Sequence, residues 1–235
     1  MNKFEANKNK SYHQGFTLAE VLIVIGIIGV VASMTISTLV KNYQKKVFGI
    51  RVKKAYTTLY QAIKLSENVN GDIADWNFNL SNNNLQNSKL FVETYIQPFI
   101  KGLQYCDTGM TNNECAKYVG CGNAGVNYHL PNGSMLGVCA YPGDKNVWLK
   151  IAVNKQKDNY KRGASFAIDK TTYKFVPSYY YSDLSRNAVL NGFKPLTDNY
   201  TVACDKTGRK SQYPYHACSA LLYVDNFEVT DDYPW

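Results

Sequence analysis

The chain has 235 residues, of which 45% are hydrophobic, and its formal net charge at pH 7 is +8. At this length and composition the chain is neither too short nor too polar to bury a hydrophobic core. They allow one membrane segment and one globular domain of ordinary size. The positive charge admits nucleic acid or an anionic membrane surface as a partner.

The N-terminus combines a short charged segment, residues 1–15, with a long apolar run. Between Phe16 and Val40 the only charged residue is Glu20. A helix of about 25 residues, rising ~1.5 Å per residue, is long enough to cross the ~30 Å hydrocarbon layer of a bilayer. A carboxylate inside such a segment is costly to bury, and it usually marks a function.

Four features of this region act together: Gly15, the hydrophobic Phe16, Glu20 as the fifth residue after Gly15, and the apolar run behind it. In combination they resemble the N-terminus of a type IV prepilin or a type II secretion pseudopilin. The resemblance implies that residues 1–15 are a leader, that a prepilin peptidase cuts between Gly15 and Phe16, and that the new amino terminus of Phe16 is methylated. It covers about the first fifty residues.

Two other interpretations of the N-terminus compete with this one. An ordinary secretory signal peptide has a shorter apolar core followed by a small-residue cleavage site. A generic signal anchor fits the length of the apolar run but leaves Glu20 unexplained.

The pattern predicts one long helix from Phe16 to about Glu67, since no proline occurs before Pro98. Residues 16–40 form its transmembrane or assembly half, in which Gly26 and Gly29 let neighbouring helices approach closely. Residues 41–68 form an amphipathic half, and the asparagines before Gly71 end the helix. The face expected to pack on a domain has apolar residues at helical spacing: Val47, Ile50, Val52, Ala55, Tyr56, Leu59 and Ile63.

One departure from the resembled family concerns the straightness of this helix. Many members have a helix-kinking proline where this chain has Ser37. Proline removes a helix hydrogen bond and serine does not, so we expect a straight helix here.

The pattern of residues 69–235 predicts a globular domain, which would complete an α+β, pilin-like fold. Asn132-Gly133 between two apolar runs predicts a β-hairpin. We expect a four- or five-stranded, mostly antiparallel sheet against the second half of the long helix. The predicted elements are a loop at Ser81–Ser88, a helix at Lys89–Leu103 interrupted by Pro98, strands at Val126–Leu130, Met135–Tyr141, Val147–Val153, Ala164–Asp169 and Thr172–Val176, a surface loop at Pro177–Tyr200 and a short helix near Ala217–Val224.

All six cysteines lie in the distal domain: Cys106, Cys115, Cys121, Cys139, Cys204 and Cys218. An even number confined to one domain favours disulfides and an oxidising compartment. No C-x-x-C pair occurs, so a zinc site is not expected. Nearness in sequence favours a Cys204–Cys218 pair; the other four then pair among themselves, with Cys106–Cys115 and Cys121–Cys139 as one arrangement.

The lysines and the cysteines give opposite indications of topology. Seven basic residues precede the next acid, Glu67: Lys41, Lys45, Lys46, Arg51, Lys53, Lys54 and Lys64. A positive-inside count would keep this flank in the cytoplasm, whereas the cysteines favour the opposite side. We expect a single-pass protein of the bacterial inner membrane with its C-terminal domain outside the cytoplasm. The basic residues fit lipid headgroups or a solvated helix face, and no nucleic-acid motif accompanies them.

Catalysis is not expected, and neither is a cofactor or a metal ion. The three histidines are His13, His129 and His216, and no nucleophile, metalloprotease or P-loop motif is present. Calcium-type oxygen ligands occur near the C-terminus, but no D-x-D-x-D-G loop holds them together. These carboxylates belong to Asp198, Asp205, Asp225, Asp231 and Asp232.

These observations favour a structural subunit of a type IV pilus or a type II secretion pseudopilus. Its expected partners are the prepilin peptidase, other pilin or pseudopilin subunits, and the inner membrane. Assembly would run through the apolar helix, with Glu20 pairing with the free amino terminus of a subunit. The alternative is a single-pass, membrane-anchored binding or sensor protein that does not polymerise.

Overall fold

The structure is a computed structural model of the chain. It describes residues 15–106, 125–153, 163–178, 184–194, 201–204 and 214–234, with backbone only at 214–216. The chain divides into two compact units, Met1–Tyr43 and Gln44–Trp235. Most of the predicted leader, and the tyrosine run at 179–181, lie outside the described residues.

The first helix, α1, is continuous from Leu18 to Asn70 and has 53 residues. No proline interrupts it, and it stops where Gly71 adopts a φ of +81°, a conformation that glycine tolerates at a helix C-terminus. The predicted helix and its predicted end are therefore confirmed.

Six strands form one antiparallel sheet in the order β1-β2-β3-β4-β5-β6, so each strand pairs with its neighbours in sequence. Asn132-Gly133 lies in the predicted hairpin between β2 and β3, where His129 is opposite Met135. The strands are β1 Gln104–Cys106, β2 Val126–His129, β3 Met135–Ala140, β4 Asn146–Ala152, β5 Gly163–Asp169 and β6 Lys174–Pro177.

Three further helices belong to the second unit: α2 Asn84–Tyr95, α3 Arg186–Asn191 and α4 Pro214–Val224. Short 3-10 turns occupy Ile73–Asp75 and Gln97–Phe99. Together with the sheet and the second half of α1, these helices confirm the predicted α+β class.

The core lies between one face of the sheet and the helices. Tyr56 of α1 joins the two layers, since its ring centroid is 4.9 Å from that of Phe166 on β5 and 5.2 Å from that of Phe175 on β6. Alternate residues along β3 to β5 belong to this core. The opposite face is partly covered too, since every residue of β3 is buried. The largest fully buried side chains include Phe48 and Leu59 of α1, Phe91 of α2, Leu136, Leu149 and Phe166 of the sheet, and Leu221 of α4.

The packing face of α1 differs from the prediction at one residue. Phe48, Val52 and Leu59 are buried, but Ile50 is 57% exposed. At 3.6 residues per turn, position 50 points almost opposite to position 48, so both cannot face the sheet.

The loop predicted at Ser81–Ser88 is wrong, because α2 already begins at Asn84. Asn87 and Ser88 are polar yet fully buried. The Asn87 side-chain amide donates to the carbonyl of Ala140 at 2.7 Å, and the backbone N–H of Ala140 donates to the hydroxyl of Ser88 at 2.9 Å. These two side chains form hydrogen bonds with the backbone N–H and carbonyl of Ala140 at the end of β3. Because their polar groups are paired in this way, they can lie inside the domain.

Three other predictions need correction. The sheet has six strands instead of four or five, since β1 was not predicted. The predicted helix at Lys89–Leu103 ends at Tyr95, before Pro98. The predicted surface loop at Pro177–Tyr200 contains α3, which is capped by the side chain of Ser185.

Candidate functional site

The candidate site is the start of α1. Gly15, Phe16 and Thr17 precede the helix, and Phe16 is 88% exposed. A Cβ added to Gly15 would meet no atom within 4 Å. Among the residues that the structure describes, none packs against Gly15.

Thr17 and Glu20 form a capping box at the first turn of α1. The Thr17 backbone N–H and hydroxyl each donate to Oε2 of Glu20 at 2.8 Å, and the Glu20 N–H donates to the Thr17 hydroxyl at 3.3 Å. The first helical hydrogen bond runs from the Val21 N–H to the Thr17 carbonyl at 3.2 Å. This reciprocal arrangement satisfies backbone donors that a helix N-terminus otherwise leaves free.

The capping box was not predicted, although the sequence contained its signature. Thr17-Leu18-Ala19-Glu20 fits the S/T-x-x-E pattern that begins many helices. Its presence gives the Glu20 carboxylate a partner within its own chain. The helix dipole also favours a negative charge at this end.

The surface behind the capping box is apolar and exposed. The helix contains an 18-residue window apolar enough to cross a membrane, and none of that window is buried. At Gly26 and Gly29 an added Cβ would meet no atom within 4 Å among the described residues. Length and composition thus fit membrane anchoring, and the glycines are free to contact another molecule.

The hydroxyl groups within the apolar half bond to their own helix. Ser33 donates to the Val30 carbonyl at 2.7 Å, and Ser37 donates to the Met34 carbonyl at 3.2 Å. Thr35 donates to the carbonyls of the preceding turn at 3.1 and 3.2 Å. A hydroxyl that is already bonded adds little to the cost of placing the helix in hydrocarbon.

Three of the five C-terminal carboxylates bind cations of the protein itself, and the other two, Asp198 and Asp205, lie outside the described residues. Arg186 contacts Asp225 at 2.7 and 3.1 Å and Asp232 at 2.7 Å, while Asp231 contacts Lys45 at 3.3 Å. The hydrogen bonds that Arg186 donates to the carboxylates of Asp225 and Asp232 raise its pKa, and its guanidinium stays charged. Within the described residues, no group of three or more histidine, cysteine or acidic side chains could hold a metal ion.

The predicted Cys204–Cys218 pair is a disulfide, and it joins the segment 201–204 to α4. Cys106 and Cys139 are disulfide-bonded as well. Their predicted partners, Cys115 and Cys121, lie outside the described residues.

A long helix packed on an antiparallel sheet, with a capped carboxylate at the start of its apolar half, defines a pilin-like protein. Residues 10–36 match the family described as "Prokaryotic N-terminal methylation motif", which is the prepilin-type signal of type IV pilins and pseudopilins. The chain belongs to the family described as "Family of unknown function (DUF6613)", which matches residues 38–235. No curated protein and no solved structure matches the chain.

Proposed function

We propose that this protein is a structural subunit of a type IV pilus or a type II secretion pseudopilus. A prepilin peptidase removes residues 1–15, Phe16 is methylated, and the processed chain polymerises through its apolar helix. The observation that carries the proposal is the methylation motif over residues 10–36, located at the start of an apolar, exposed helix. The protein has no catalytic role of its own in this proposal.

The chemistry of Glu20 supports assembly through this helix. Cleavage before Phe16 creates a positively charged amine next to Thr17, the residue that already holds the Glu20 carboxylate. Burying that carboxylate among apolar helices requires a partner of opposite charge or a hydrogen-bond donor. The free amino terminus of a subunit supplies both. We therefore infer that during assembly the Glu20 carboxylate binds this amine, either in place of Thr17 or in addition to it.

The unassembled subunit stands in the bacterial inner membrane with its C-terminal domain outside the cytoplasm. Two features support this orientation: the apolar helix is long enough to span, and the disulfides of the second unit require an oxidising compartment. A reporter fused after the last residue tests it. Activity from a cytoplasm-only reporter would contradict both the orientation and the filament function.

The direct test is to shear filaments from cells that produce the tagged chain and to measure the intact mass of the subunit. We expect a chain that begins at a methylated Phe16. Gly15→Val should leave the full-length precursor in the membrane, because a larger side chain obstructs the peptidase site. Gly29→Ala is the matched control for cleavage, since it also enlarges an exposed glycine but lies far from the cleaved bond. Its mass is measured in the membrane fraction, because Gly29 is also expected to pack against other helices. A processed protein that is found only as single membrane-bound copies would favour the binding or sensor alternative.

A further inference from the structure

The exposed side of α1 within the second unit is basic at one end and acidic at the other. Five cations occur from Lys45 to Lys54, and among the residues that the structure describes only Lys45 of these contacts a carboxylate, that of Asp231. Arg51 and Lys53 bond to neutral oxygens instead, those of Val153 and Asn226. Positive charge therefore remains uncompensated at the start of this half-helix.

Lys46 and Lys54 are the exposed cations of this basic end. Both side chains are exposed, and they form no hydrogen bond or ion pair with any residue in the described ranges. They lie two turns apart on the side of α1 that faces away from the sheet, as does the exposed Ile50 between them. This side carries no carboxylate from Lys46 to Lys64.

The acidic end follows directly after the helix. Asp72 and Asp75 are exposed, and their side chains have no ion-pair or hydrogen-bond partner among the residues that the structure describes. A hydrogen bond from Lys64 to Glu67 raises the pKa of Lys64, and the charge of Asp72 adds to this effect. Lys64 shares the exposed side of α1 with Lys46, and Asp72 follows the end of α1 at Asn70 by two residues.

The two ends cannot reach each other within one copy. Lys54 and Asn70 are sixteen residues apart, which is about 24 Å along a helix. In the proposed filament all copies enter one membrane in the same orientation, so their helices are parallel. Because copies leave the membrane one after another, each copy is displaced along the helix axis relative to the next. This displacement brings the acidic end of one copy towards the basic end of another.

We propose that Lys46 and Lys54 of one copy contact Asp72 and Asp75 of another copy, and that this contact sets the axial displacement between subunits. The inference rests on the proposed function. Complementary charges fix the relative position of two surfaces, and like charges placed together exclude the wrong positions. A filament with this contact should weaken as the salt concentration rises, because exposed ion pairs are screened.

Charge reversal tests this contact in the full chain, with filament yield after shearing as the measurement. Lys46→Glu with Lys54→Glu should lower the yield by about tenfold or more, because two pairs of like charges then face each other. Asp72→Lys with Asp75→Lys should do the same. The fourfold variant that combines both reversals should recover most of the yield. The matched control is Lys101→Glu with Lys194→Glu, which changes net charge equally at exposed lysines elsewhere.

A second measurement does not depend on yield. Carbodiimide joins lysine amines to carboxylates only when they touch, so a cross-link between Lys54 and Asp72 in native filaments must join two copies. We expect this peptide, or its Lys46 and Asp75 counterparts, in filaments and not in detergent-dispersed subunits. Normal yields in both double variants, or no such cross-link, would overturn the contact and leave the filament function intact. An unaltered chain that forms no filament would overturn both.

Discussion

The carbonyl oxygen of Phe227 lies against the Cα of Gly49, at the place where a Cβ on residue 49 would be. Phe227 and Asn226 both have a positive φ, of 68° and 52°, so the chain turns sharply here before it follows α1. The turn is fixed further by Lys53, which donates to the Asn226 side chain at 2.9 Å. The C-terminal segment therefore reaches α1 through backbone contact.

Gly49→Ala should destabilise the second unit by about 1–3 kcal/mol, because the added methyl group overlaps a backbone atom that cannot move freely. In most helix interiors the same change stabilises a protein by about 0.5–1 kcal/mol, so the sign of the effect reports the contact. Urea unfolding in detergent, followed by the fluorescence of the buried Trp76, measures it. Ile50→Ala, at the neighbouring exposed position, should change stability little; equal effects at both positions would contradict the contact.

Tyr128 should make the folded state sensitive to high pH. Burial, with smaller effects from Glu93 and Tyr105, raises the pKa of its phenol above the ordinary value of 10.0. Below pH 10 the phenol is protonated in the folded and the unfolded chain, so its contribution to stability is fully present. Above pH 10 the unfolded chain ionises first, and this contribution is lost as pH rises towards the folded pKa, by up to about 1.4 kcal/mol per pH unit.

The variant Tyr128→Phe should flatten the loss of stability between pH 10 and 12, because it removes one ionising group. Tyr173→Phe changes an exposed tyrosine and serves as the control. Urea midpoints measured at several pH values compare the slopes. Identical slopes for the Tyr128 variant and the unaltered protein would show that the phenol is not protected by burial.

The Cys204–Cys218 disulfide should contribute strongly to the stability of the second unit. It closes a loop with a sequence separation of 14, and both cysteines are buried. Replacing both with serine should cost about 3 kcal/mol in the chain-entropy description of a loop of this size. Non-reducing peptide mapping should recover the pair from the unaltered protein, and urea unfolding of the double variant should show the loss. Unchanged stability would mean that the segment 201–204 is held by its other contacts alone.

Two variants separate the capping role of Glu20 from its proposed role in assembly. Thr17→Val removes the hydroxyl of the capping box, a loss of about 1 kcal/mol for a helix cap, but keeps the backbone N–H that also bonds Glu20. Glu20→Ala removes the carboxylate entirely. We expect Glu20→Ala to be processed normally yet to be absent from filaments, whereas Thr17→Val should assemble at reduced yield. Similar filament yields for the two variants would indicate that Glu20 acts only as a helix cap.

The sequence predicts the elements that have strong local signals. α1 follows from an uninterrupted helical pattern, and the β2–β3 hairpin follows from Asn132-Gly133 between two apolar runs. In contrast, β1 has three residues, two of them exposed, and gives no alternating pattern. The start of α2 looks like a loop because Asn87 and Ser88 are polar, and their burial depends on the end of β3, which lies far away in sequence.

The sequence singles out the residues of the candidate site by a local pattern, and their roles in processing and assembly stay predictions. Gly15, Phe16 and Glu20 stand out because a charge-poor run makes one carboxylate conspicuous. The capping role of Thr17 was not predicted, although the Thr-x-x-Glu pattern that indicates it is local. The contacts of Arg186 with the carboxylates of Asp225 and Asp232 could not be predicted from the sequence. They join residues 39 and 46 positions apart, and no local pattern indicates them.

Serine at position 37 has a mechanical consequence for a filament built from this chain. Its hydroxyl bonds to the Met34 carbonyl, and α1 continues through it without a break to Asn70. A helix under tension lengthens first where backbone hydrogen bonds are missing, as they are at a proline. From Leu18 to Asn70 no such weak point exists, so a pulling force would be carried by the contacts between copies. Such a filament should be stiff along its axis and should snap between subunits before its helices unwind.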